Sequence, residues 1–336
     1  MATVVYHLPH SSEIIRLTGS IVEAGSIAGF DLEKAEGFII NRFDNSACFF
    51  LQPTQLLSHS TADVESLRID EELNYASTTV STLSRDSYLK KLGLFKAEMK
   101  SRGITKAILA RIIHHPEKVD VAETFSKMVT KYPGAFTYLI SSRETGTWMG
   151  ATPEKLFNET ASGEIQIHSL AGTQPANHIE WSNKEYEEQQ LVTDYIAHEL
   201  RKNGFRDFTT GARETIVAGA VAHLRTTFTL PSNPGNLNSL VNILHPTPAV
   251  CGTPRQKAFE LIANAEGNER KFYAGFLGPV GPDLGNHLFV NLRCMELTPN
   301  GANLYVGGGI TAASVPEKEW TETELKAQTL LSVISN

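Results

Sequence analysis

Two carboxylates and an ammonium recur at helical spacing near the end of the chain. Glu319, Glu322 and Lys326 are three and four residues apart, and the same series continues through Leu330 and Val333. Residues at this spacing share one face of a helix, so these charges lie on the stripe whose apolar members turn toward the core. Charges that point inward are costly unless they are paired or bind a metal. The alternative is a solvated helix whose polar stripe faces water.

The segment before this stripe has its own signals. A strand ends in three consecutive glycines, at 307–309, and Ser314 then lies three residues before Glu317, with Pro316 between them. This spacing predicts a capping box that begins the helix at Ser314, with the proline in the first turn. Glycines let backbone N–H groups approach an anion closely. The pattern matches neither a P-loop nor a dinucleotide fingerprint, so no nucleotide is implied.

A third inward carboxylate is predicted on another helix, from Lys184 to Gly204. Val192, Ile196 and Leu200 step by four along its buried side, and Glu188 is the preceding member of that series. Mg²⁺ takes oxygen ligands, often only one or two carboxylates, and completes its shell with water and an anionic substrate. Spacing alone leaves two interpretations open, a divalent metal site and a set of buried ion pairs.

Four other polar residues interrupt apolar segments. Lys106 opens the apolar run 106–113, so it is either a partly desolvated lysine that acts as a base or a strand-end lysine that reaches water. Glu154 follows a proline and precedes an apolar pair, so it is either a proton donor with a raised pKa or a turn residue. Arg293 and Tyr273 lie in apolar strands, where an arginine pairs with an internal acid or holds a substrate carboxylate.

Composition excludes several classes of protein. The 336 residues are 41% hydrophobic, which is enough for a large core, and we expect one domain over residues 1–336. A net charge of −7 argues against nucleic acid as a main partner. Three widely spaced cysteines form neither a disulfide framework nor a zinc pattern, which favours a reducing cytoplasm. No basic segment followed by an apolar run opens the chain, and no stretch approaches the ~20 apolar residues of a membrane span.

Strands outnumber what regular βαβ alternation would produce, so we predict an α+β fold with large, mainly antiparallel sheets layered with helices. The predicted helices are Arg85–Gly103, Val121–Tyr132, Lys184–Gly204, Leu237–Leu244, Arg255–Ala265 and the helix after Ser314. The predicted strands are Gly37–Phe43, Ala47–Gln52, Lys106–Ile113, Ala135–Ser142, several within Gly146–Thr173 with turns at Asn158–Glu159 and Ser162–Gly163, Thr215–Thr229, Phe272–Val280, His287–Leu297 and Leu304–Ile310.

A series of ordered motifs resembles the chorismate-utilising enzymes, the family of isochorismate, salicylate, anthranilate and aminodeoxychorismate synthases. In chain order the motifs are K-A-I-L-A-R, G-A-T-P-E-K-L-F, L-A-G-T, L-H-P-T-P-A-V-C-G, F-Y-A-G-F-L-G-P, V-N-L-R-C and G-G-G-I followed by E-W-T-E-T-E-L-K. The resemblance covers roughly residues 100–330, and residues 1–84 form a variable N-terminal part. It implies the anthranilate-synthase-like chorismate-binding fold.

The resemblance also implies a Mg²⁺ site. In this family a glutamate of the middle helix and one four residues before the lysine of the last helix hold Mg²⁺, which holds the ring carboxylate of chorismate. These correspond to Glu188 and Glu322, with Glu319 in a supporting position. The middle-helix pair is usually Glu-His and is Glu188-Gln189 here, which puts the surroundings of that ligand in question. The residues that the resemblance places along the substrate are Arg293 and Tyr273, on the pyruvyl carboxylate, and Gly172, Thr173, His245, Gly307, Gly309 and Lys326.

Two positions choose among the reactions of the family. Members that add water carry a lysine base where this chain has Lys106, with Glu154 as the general acid. Aminodeoxychorismate synthases carry a nucleophilic lysine where this chain has Ala171. The resemblance therefore implies an isomerase, an isochorismate synthase that adds water at C2 of chorismate and removes the C4 hydroxyl. The close alternative is a salicylate synthase, which goes on to eliminate pyruvate, and Ala249 tilts the choice away from it.

The expected partner is chorismate, with no amidotransferase because water replaces ammonia, and we expect a cytoplasmic monomer. Whether the product serves menaquinone, a siderophore or salicylate stays open. A non-catalytic protein on a degenerate copy of the fold is the alternative from another class. It would be expected to have lost some of the six charged residues proposed above, and all six are present: Lys106, Glu154, Glu188, Arg293, Glu322 and Lys326.

Overall fold

The computed structural model describes residues 1–66, 69, 73–75, 80–218, 221–232 and 237–334. Its strands are β1 Ala2–His7, β2 Glu13–Ala24, β3 Gly37–Asn41, β4 Cys48–Ser60, β5 Lys106–His115, β6 Phe136–Ser142, β7 Gly146–Thr152, β8 Lys155–Glu159, β9 Ile165–Pro175, β10 Thr209–Thr210, β11 Glu214–Ala218, β12 Val221–Leu230, β13 Gly252–Thr253, β14 Phe276–Val280, β15 His287–Val290, β16 Cys294–Thr298 and β17 Gly301–Thr311. Its helices are α1 Arg85–Arg102, α2 Val121–Lys131, α3 Asn183–Lys202, α4 Leu237–Leu244, α5 Arg255–Ala265 and α6 Pro316–Leu331.

Every strand pairing among the described residues is antiparallel. One half of the sheet runs in the order β13-β5-β17-β16-β7-β6-β1-β2-β4. The other half runs β4-β3-β14-β15-β8-β9-β12-β11, with β10 also on β12. Strand β4 belongs to both halves, since its first residues pair with β2 on one side and with β3 on the other. This confirms the predicted α+β class with a large antiparallel sheet.

The two halves face each other across the main core. Phe136 of β6 and Phe289 of β15 belong to different halves, and their rings stack with centroids 4.1 Å apart. Tyr6 of β1 also contacts Phe38 of β3 across this space, with tilted rings whose centroids are 5.7 Å apart. The aromatic side chains that alternate along these strands therefore fill the space between the halves, as in a sandwich of two packed sheets.

A second core lies on the outer face of the first half. Leu139 of β6 and Leu304 of β17 are buried there against Phe125 and Met128 of α2. Strands that are covered on both faces carry near-continuous apolar runs, and this explains the sequence of β5 and β6. None of the helices in the described part of the chain has the length and apolarity needed to cross a lipid bilayer.

Several predicted elements differ from the structure. The predicted strand Phe272–Val280 begins only at Phe276, so Tyr273 lies in the turn before β14 and not in a strand. The predicted strand Thr215–Thr229 is a hairpin of β11 and β12, whose connection lies outside the described residues. Asn158 and Glu159 are not a turn but the end of β8, paired with β15 or β9. The predicted strand His287–Leu297 is broken between Val290 and Cys294. The last difference matters most, because Arg293 lies in the break.

The start of α6 also corrects the prediction. Its N-cap is Val315, with Pro316 as the first helical residue. Ser314 does not form the predicted capping box, because its hydroxyl accepts a hydrogen bond from the Thr311 N–H at 3.1 Å and so closes the turn before the helix. The buried residues of α6 are Thr323, Ala327 and Leu330. Leu330 and Val333 of the predicted inward stripe are buried, but Thr323 and Ala327 are buried in place of Glu322 and Lys326, one position farther along.

Candidate active site

Glycines of β17 make room for two side chains that the sequence selected. A Cβ on Gly309 would lie 3.2 Å from Cε of Lys106, which crosses from the neighbouring strand β5. A Cβ on Gly307 would lie 2.8 Å from Oη of Tyr273. Gly307 and Gly309 are two positions apart, so a Cβ on either would face the same side of β17. A larger residue at either position would displace Lys106 or Tyr273.

The backbone N–H and C=O groups of Gly307 and Gly309 make no hydrogen bonds to β5. Gly307 lies opposite Ala110 and Gly309 opposite Ile108, and the N–H groups of Ala110 and Ile108 donate to the far side of β5. Such pairs are the non-hydrogen-bonded positions of an antiparallel ladder, so the N–H and C=O groups of both glycines face away from β5. On that side β16 pairs with β17 only as far as Tyr305. The strand edge at Gly307 and Gly309 therefore opens into a cleft.

Strand β16, which lies beside this opening, begins at Cys294, directly after Arg293. The φ of Arg293 is +49°, a left-handed conformation that no strand continues through and that costs a non-glycine residue energy. Asn291, two residues before Arg293, holds the break in place: its Oδ1 accepts from Tyr138 Oη at 2.7 Å and its Nδ2 donates to the Phe272 carbonyl at 3.0 Å. Because both groups of this buried amide are hydrogen-bonded, the loop has one conformation, and this sets the backbone position of Arg293.

Glu154 is anchored through its backbone at the exit of β7. Thr152 Oγ1 donates to the Val290 carbonyl at 2.6 Å, and the Val290 N–H donates to the Glu154 carbonyl at 2.9 Å. These bonds join the end of β7 to the last residue of β15. The carboxyl of Glu154 interacts electrostatically with Arg293, which lies three residues after the end of β15.

Four charged residues meet in the cleft. Burial raises the pKa of Glu154 to about 7, although Arg293, Lys106 and Lys326 each lower it. Desolvation disfavours the charged form of the carboxyl and outweighs the effect of the three cations. The carboxyl therefore stays partly protonated near neutral pH. This is the environment of a general acid.

Helix α6 supplies Lys326, Glu322 and Glu319. Lys326 Nζ donates to the Gly307 carbonyl at 2.8 Å and pairs with Glu322 Oε1 at 2.6 Å. Burial lowers the pKa of Lys326, while Glu322 raises it. Glu319 lies against Gly308, where a Cβ would be 3.1 Å from its Oε2. Lys326 and Glu319 thus lie against β17, and Glu322 is joined to this strand only through Lys326. All three flank the buried stripe of the helix and are not part of it.

Helix α3 supplies Glu188, which pairs with Lys106 at 2.9 Å between Oε1 and Nζ. The side chain of Lys106 is 17% exposed and that of Glu188 34% exposed, so both are partly open to the cleft. The predicted base and a predicted metal ligand are therefore direct partners. Sequence spacing alone did not indicate this contact, because 82 residues separate the two.

His223 is a cleft residue that the sequence analysis missed. Its Nδ1 lies 3.0 Å from the Gly172 carbonyl and 3.1 Å from Thr173 Oγ1, two positions that the resemblance had placed on the substrate. Burial lowers its pKa, and Arg293 and Lys326 lower it further, so it faces the same cations as Glu154. It alternates with apolar residues along β12 like any solvent-facing polar residue, and nothing in that pattern distinguishes it.

His245 differs from its prediction as a substrate contact. Its side chain is buried in the core between Phe43 and Phe276, with Nε2 3.2 Å from the Phe43 carbonyl. Burial lowers its pKa to about 3, so the imidazole is neutral. The same loop does reach the cleft farther on, since Thr247 and Ala249 line a small cavity together with Glu154. His245 therefore anchors the loop and does not contact the substrate space itself.

The sequence model of the family described as chorismate binding enzyme matches residues 51–335. The chain belongs to the chorismate binding enzymes. This match includes every residue of the cleft described above.

Among curated relatives, the chain is 28% identical over 243 residues to isochorismate synthase EntC of Escherichia coli K12, covering 68% of this chain and 62% of EntC. It is 28% identical over 253 residues to isochorismate synthase MenF of Haemophilus influenzae, covering 71% of this chain and 58% of MenF. The chain thus matches about three fifths of the length of these relatives.

Solved structures of this enzyme family share the fold. The structure of MenF, the menaquinone-specific isochorismate synthase from Escherichia coli, matches with a TM-score of 0.80 at 20% identity, covering 100% of this chain and 89% of that chain. Anthranilate synthase component I from Streptococcus pneumoniae TIGR4 matches with a TM-score of 0.73 at 15% identity, covering 98% and 92%. These likenesses confirm the predicted anthranilate-synthase-like architecture.

The donor set of this chorismate binding enzyme bears on the metal prediction. Within the described ranges, no three His, Cys, Asp or Glu side chains come together as a cage for a metal ion. Glu188 and Glu322 are each partly exposed and each paired with a lysine. Mg²⁺ needs only one or two protein carboxylates when water and an anionic substrate supply the rest. A partly exposed carboxylate suits an ion of that kind, and the described residues hold no closed structural site.

Proposed function

We propose that this chorismate binding enzyme is an isochorismate synthase. The observation that carries the proposal is Glu154, a carboxyl with a pKa of about 7 that shares one cleft with Lys106, Arg293 and Lys326. Adding water at one ring position while a hydroxyl leaves from another needs a base and an acid at separate points. Lys106, on β5, and Glu154, in the loop between β7 and β8, come from separate parts of the fold and supply that pair.

The proposed reaction keeps its atoms in balance. Lys106 accepts a proton from a water whose oxygen bonds to C2 of chorismate, the ring double bonds shift, and the C4–O bond breaks. Glu154 donates its proton to the departing hydroxyl, which leaves as water. General acid and base groups of this kind each contribute roughly 10²–10⁴-fold to the rate. No ammonia takes part, so we expect no amidotransferase partner.

Anionic groups of the substrate match the cations of the cleft. Arg293 lies in a loop held by the Asn291 hydrogen bonds, and its guanidinium suits a bidentate contact with the pyruvyl carboxylate. Tyr273 Oη lies against Gly307 and would contact the same carboxylate. The outward N–H groups of Gly307 and Gly309 offer donors to the same anion. Glu188 and Glu322 would hold Mg²⁺, which would neutralise the ring carboxylate and fix its position.

Product analysis tests the proposal. Purified protein is incubated with chorismate and Mg²⁺ at neutral pH, and chorismate, isochorismate and salicylate are followed by chromatography. We expect chorismate and isochorismate to approach a stable mixture, because Ala249 adds no hydroxyl that would fold the side chain over the ring. Stoichiometric salicylate and pyruvate, formed faster than isochorismate decays alone, would make the protein a salicylate synthase. No consumption of chorismate would refute both assignments.

A further inference from the structure

Gln189 follows Glu188 in α3 and is completely buried. Its Nε2 lies 2.9 Å from Ser169 Oγ, 2.9 Å from Thr193 Oγ1 and 3.0 Å from Thr226 Oγ1. An amide nitrogen carries two hydrogens, so one of them is shared between two of these hydroxyls. Ser169 and Thr226 are directly opposite each other on β9 and β12. One side chain thereby attaches α3 to two adjacent strands.

Arg213 is the hydrogen-bond partner of the other end of the Gln189 amide, its Oε1. Its Nε donates to Gln189 Oε1 at 2.7 Å, its Nη2 donates to Gln190 Oε1 at 2.5 Å, and its guanidinium lies 5.2 Å from the centre of the Tyr186 ring. The arginine therefore contacts three residues in the first half of α3. Because every donor and acceptor of the buried amide has a partner, the amide admits one orientation of this part of the helix.

Glu188 takes its direction from this attachment. Consecutive helical residues point about 100° apart, so Gln189 on the strands leaves Glu188 at the edge of the cleft, where it meets Lys106 at 2.9 Å. A turn of the helix about its axis would move that carboxylate out of reach of Lys106. The hydroxyl partners of Gln189 therefore control a residue that they do not touch.

We propose that Gln189 and Arg213 form a positioning clamp that sets Glu188 for Mg²⁺ binding. This inference rests on the proposed function, in which Glu188 is a magnesium ligand. Neither residue of the clamp touches the substrate space in the described contacts. Groups that orient a metal ligand typically change metal affinity by about 10–100-fold when they are removed.

Three variants test the clamp. Gln189→Leu keeps the volume and removes all the amide's hydrogen bonds. Arg213→Met, at an exposed position, removes only one of these, from the donor to Gln189 Oε1. Arg201→Met is the matched control, since Arg201 lies on the same helix with its guanidinium 5.2 Å from the Phe208 ring, away from Gln189. The measurements are calorimetric titration with Mg²⁺ alone, the Mg²⁺ concentration for half-maximal turnover, and the thermal unfolding temperature.

We expect Arg213→Met to weaken Mg²⁺ binding of the folded protein about tenfold, with wild-type kcat regained at saturating Mg²⁺. The lost donor to the buried Gln189 Oε1 should also lower the unfolding temperature slightly. Gln189→Leu should weaken it at least as much, and Arg201→Met should match the wild type. A structural role alone would lower the unfolding temperature and leave the Mg²⁺ titration of the folded protein unchanged, which would overturn the clamp. Glu188→Gln separates the two levels of inference. If it abolishes Mg²⁺ binding while both clamp variants bind normally, the clamp is wrong and the proposed function stands; if it binds Mg²⁺ like the wild type, the proposed ligand is wrong.

Discussion

Replacing Glu154 by glutamine removes the proton of the proposed acid while it keeps the shape of the side chain. The backbone anchors of Glu154 do not involve the carboxyl, so the loop between β7 and β8 should stay in place. The amide has no comparable proton to give, and we expect turnover to fall by about 10²–10⁴-fold with chorismate affinity retained. Glu154→Asp is the conservative control, because it keeps the acid and shortens its reach.

The size of the pH effect follows from the raised pKa. At about pH 7.5 a carboxyl with a pKa of about 7 is roughly one quarter protonated, whereas one with the ordinary value of 4.5 is roughly one thousandth protonated. Burial thus increases the acid form some two-hundredfold. Since the acid form is the active one, kcat/KM should fall as pH rises through about 7.

The same shift predicts a change in stability. A carboxyl whose pKa is raised on folding stabilises the native state fully below its unfolded pKa, near 4.5, and that contribution is lost as pH rises through about 7. Between these limits the wild type should lose up to about 3 kcal/mol of unfolding free energy relative to Glu154→Gln. Water in the cleft screens part of this, so about 1–3 kcal/mol is the expected range.

Two assays check these expectations together. The first is the profile of kcat/KM for chorismate between pH 5.5 and pH 9, and the second is urea unfolding of wild type and Glu154→Gln at pH 5 and pH 8. The glutamine variant should gain relative stability at the higher pH while it lacks activity throughout. A kcat/KM profile with no alkaline limb near neutral pH, or a Glu154→Gln variant with more than one tenth of wild-type turnover, would refute the assignment of Glu154 as the acid.

Three further predictions follow. Lys106→Ala should abolish turnover and leave chorismate bound, since a base acts on the transition state more than on ground-state affinity; equilibrium binding beside steady-state kinetics tests this, and substantial turnover would assign the base elsewhere. Glu322→Gln should weaken Mg²⁺ binding and activity together, and an unchanged magnesium titration with near-normal turnover would remove Glu322 from the site. Arg111→Met should cost about 2–4 kcal/mol in urea unfolding, because Arg111 is buried with its guanidinium 3.8 Å from the centre of the Trp320 ring and its Nε 2.9 Å from Thr323 Oγ1; a loss below about 0.5 kcal/mol would show that this contact does not hold α6 on β5.

Local patterns in the sequence were sufficient for most elements. Apolar runs and amphipathic spacing predicted α1, α2, α3 and β5 to within a few residues, and Gly103 at φ +66° ends α1 as the glycine predicts. The capping box at Ser314 failed because its hydroxyl has a nearer donor in the turn at Thr311. Both interactions use the same short side chain, and sequence spacing does not rank them.

The residue types of the cleft were also visible before the fold. A lysine, a glutamate and an arginine inside apolar segments are costly, so positions 106, 154 and 293 were already candidates for a function. The alternatives were a strand-end lysine that reaches water, a turn residue and an internal ion pair, respectively. Which of the two applies depends on what each charge meets. That question belongs to contacts between distant segments.

Tertiary structure decided those contacts. Lys106 meets Glu188 across 82 residues of sequence, and the break at Arg293 exists because Asn291 is held by Tyr138 and Phe272 from elsewhere in the fold. His245, predicted to contact the substrate, is buried in the core. His223 lies in the cleft, although no pattern in the sequence indicated it. The sequence alone determined which elements form and which charges they carry, because those depend on local periodicity. The pKa of Glu154 and the partners of each charge depend on desolvation and on distances in space, which only the packed sheet halves define.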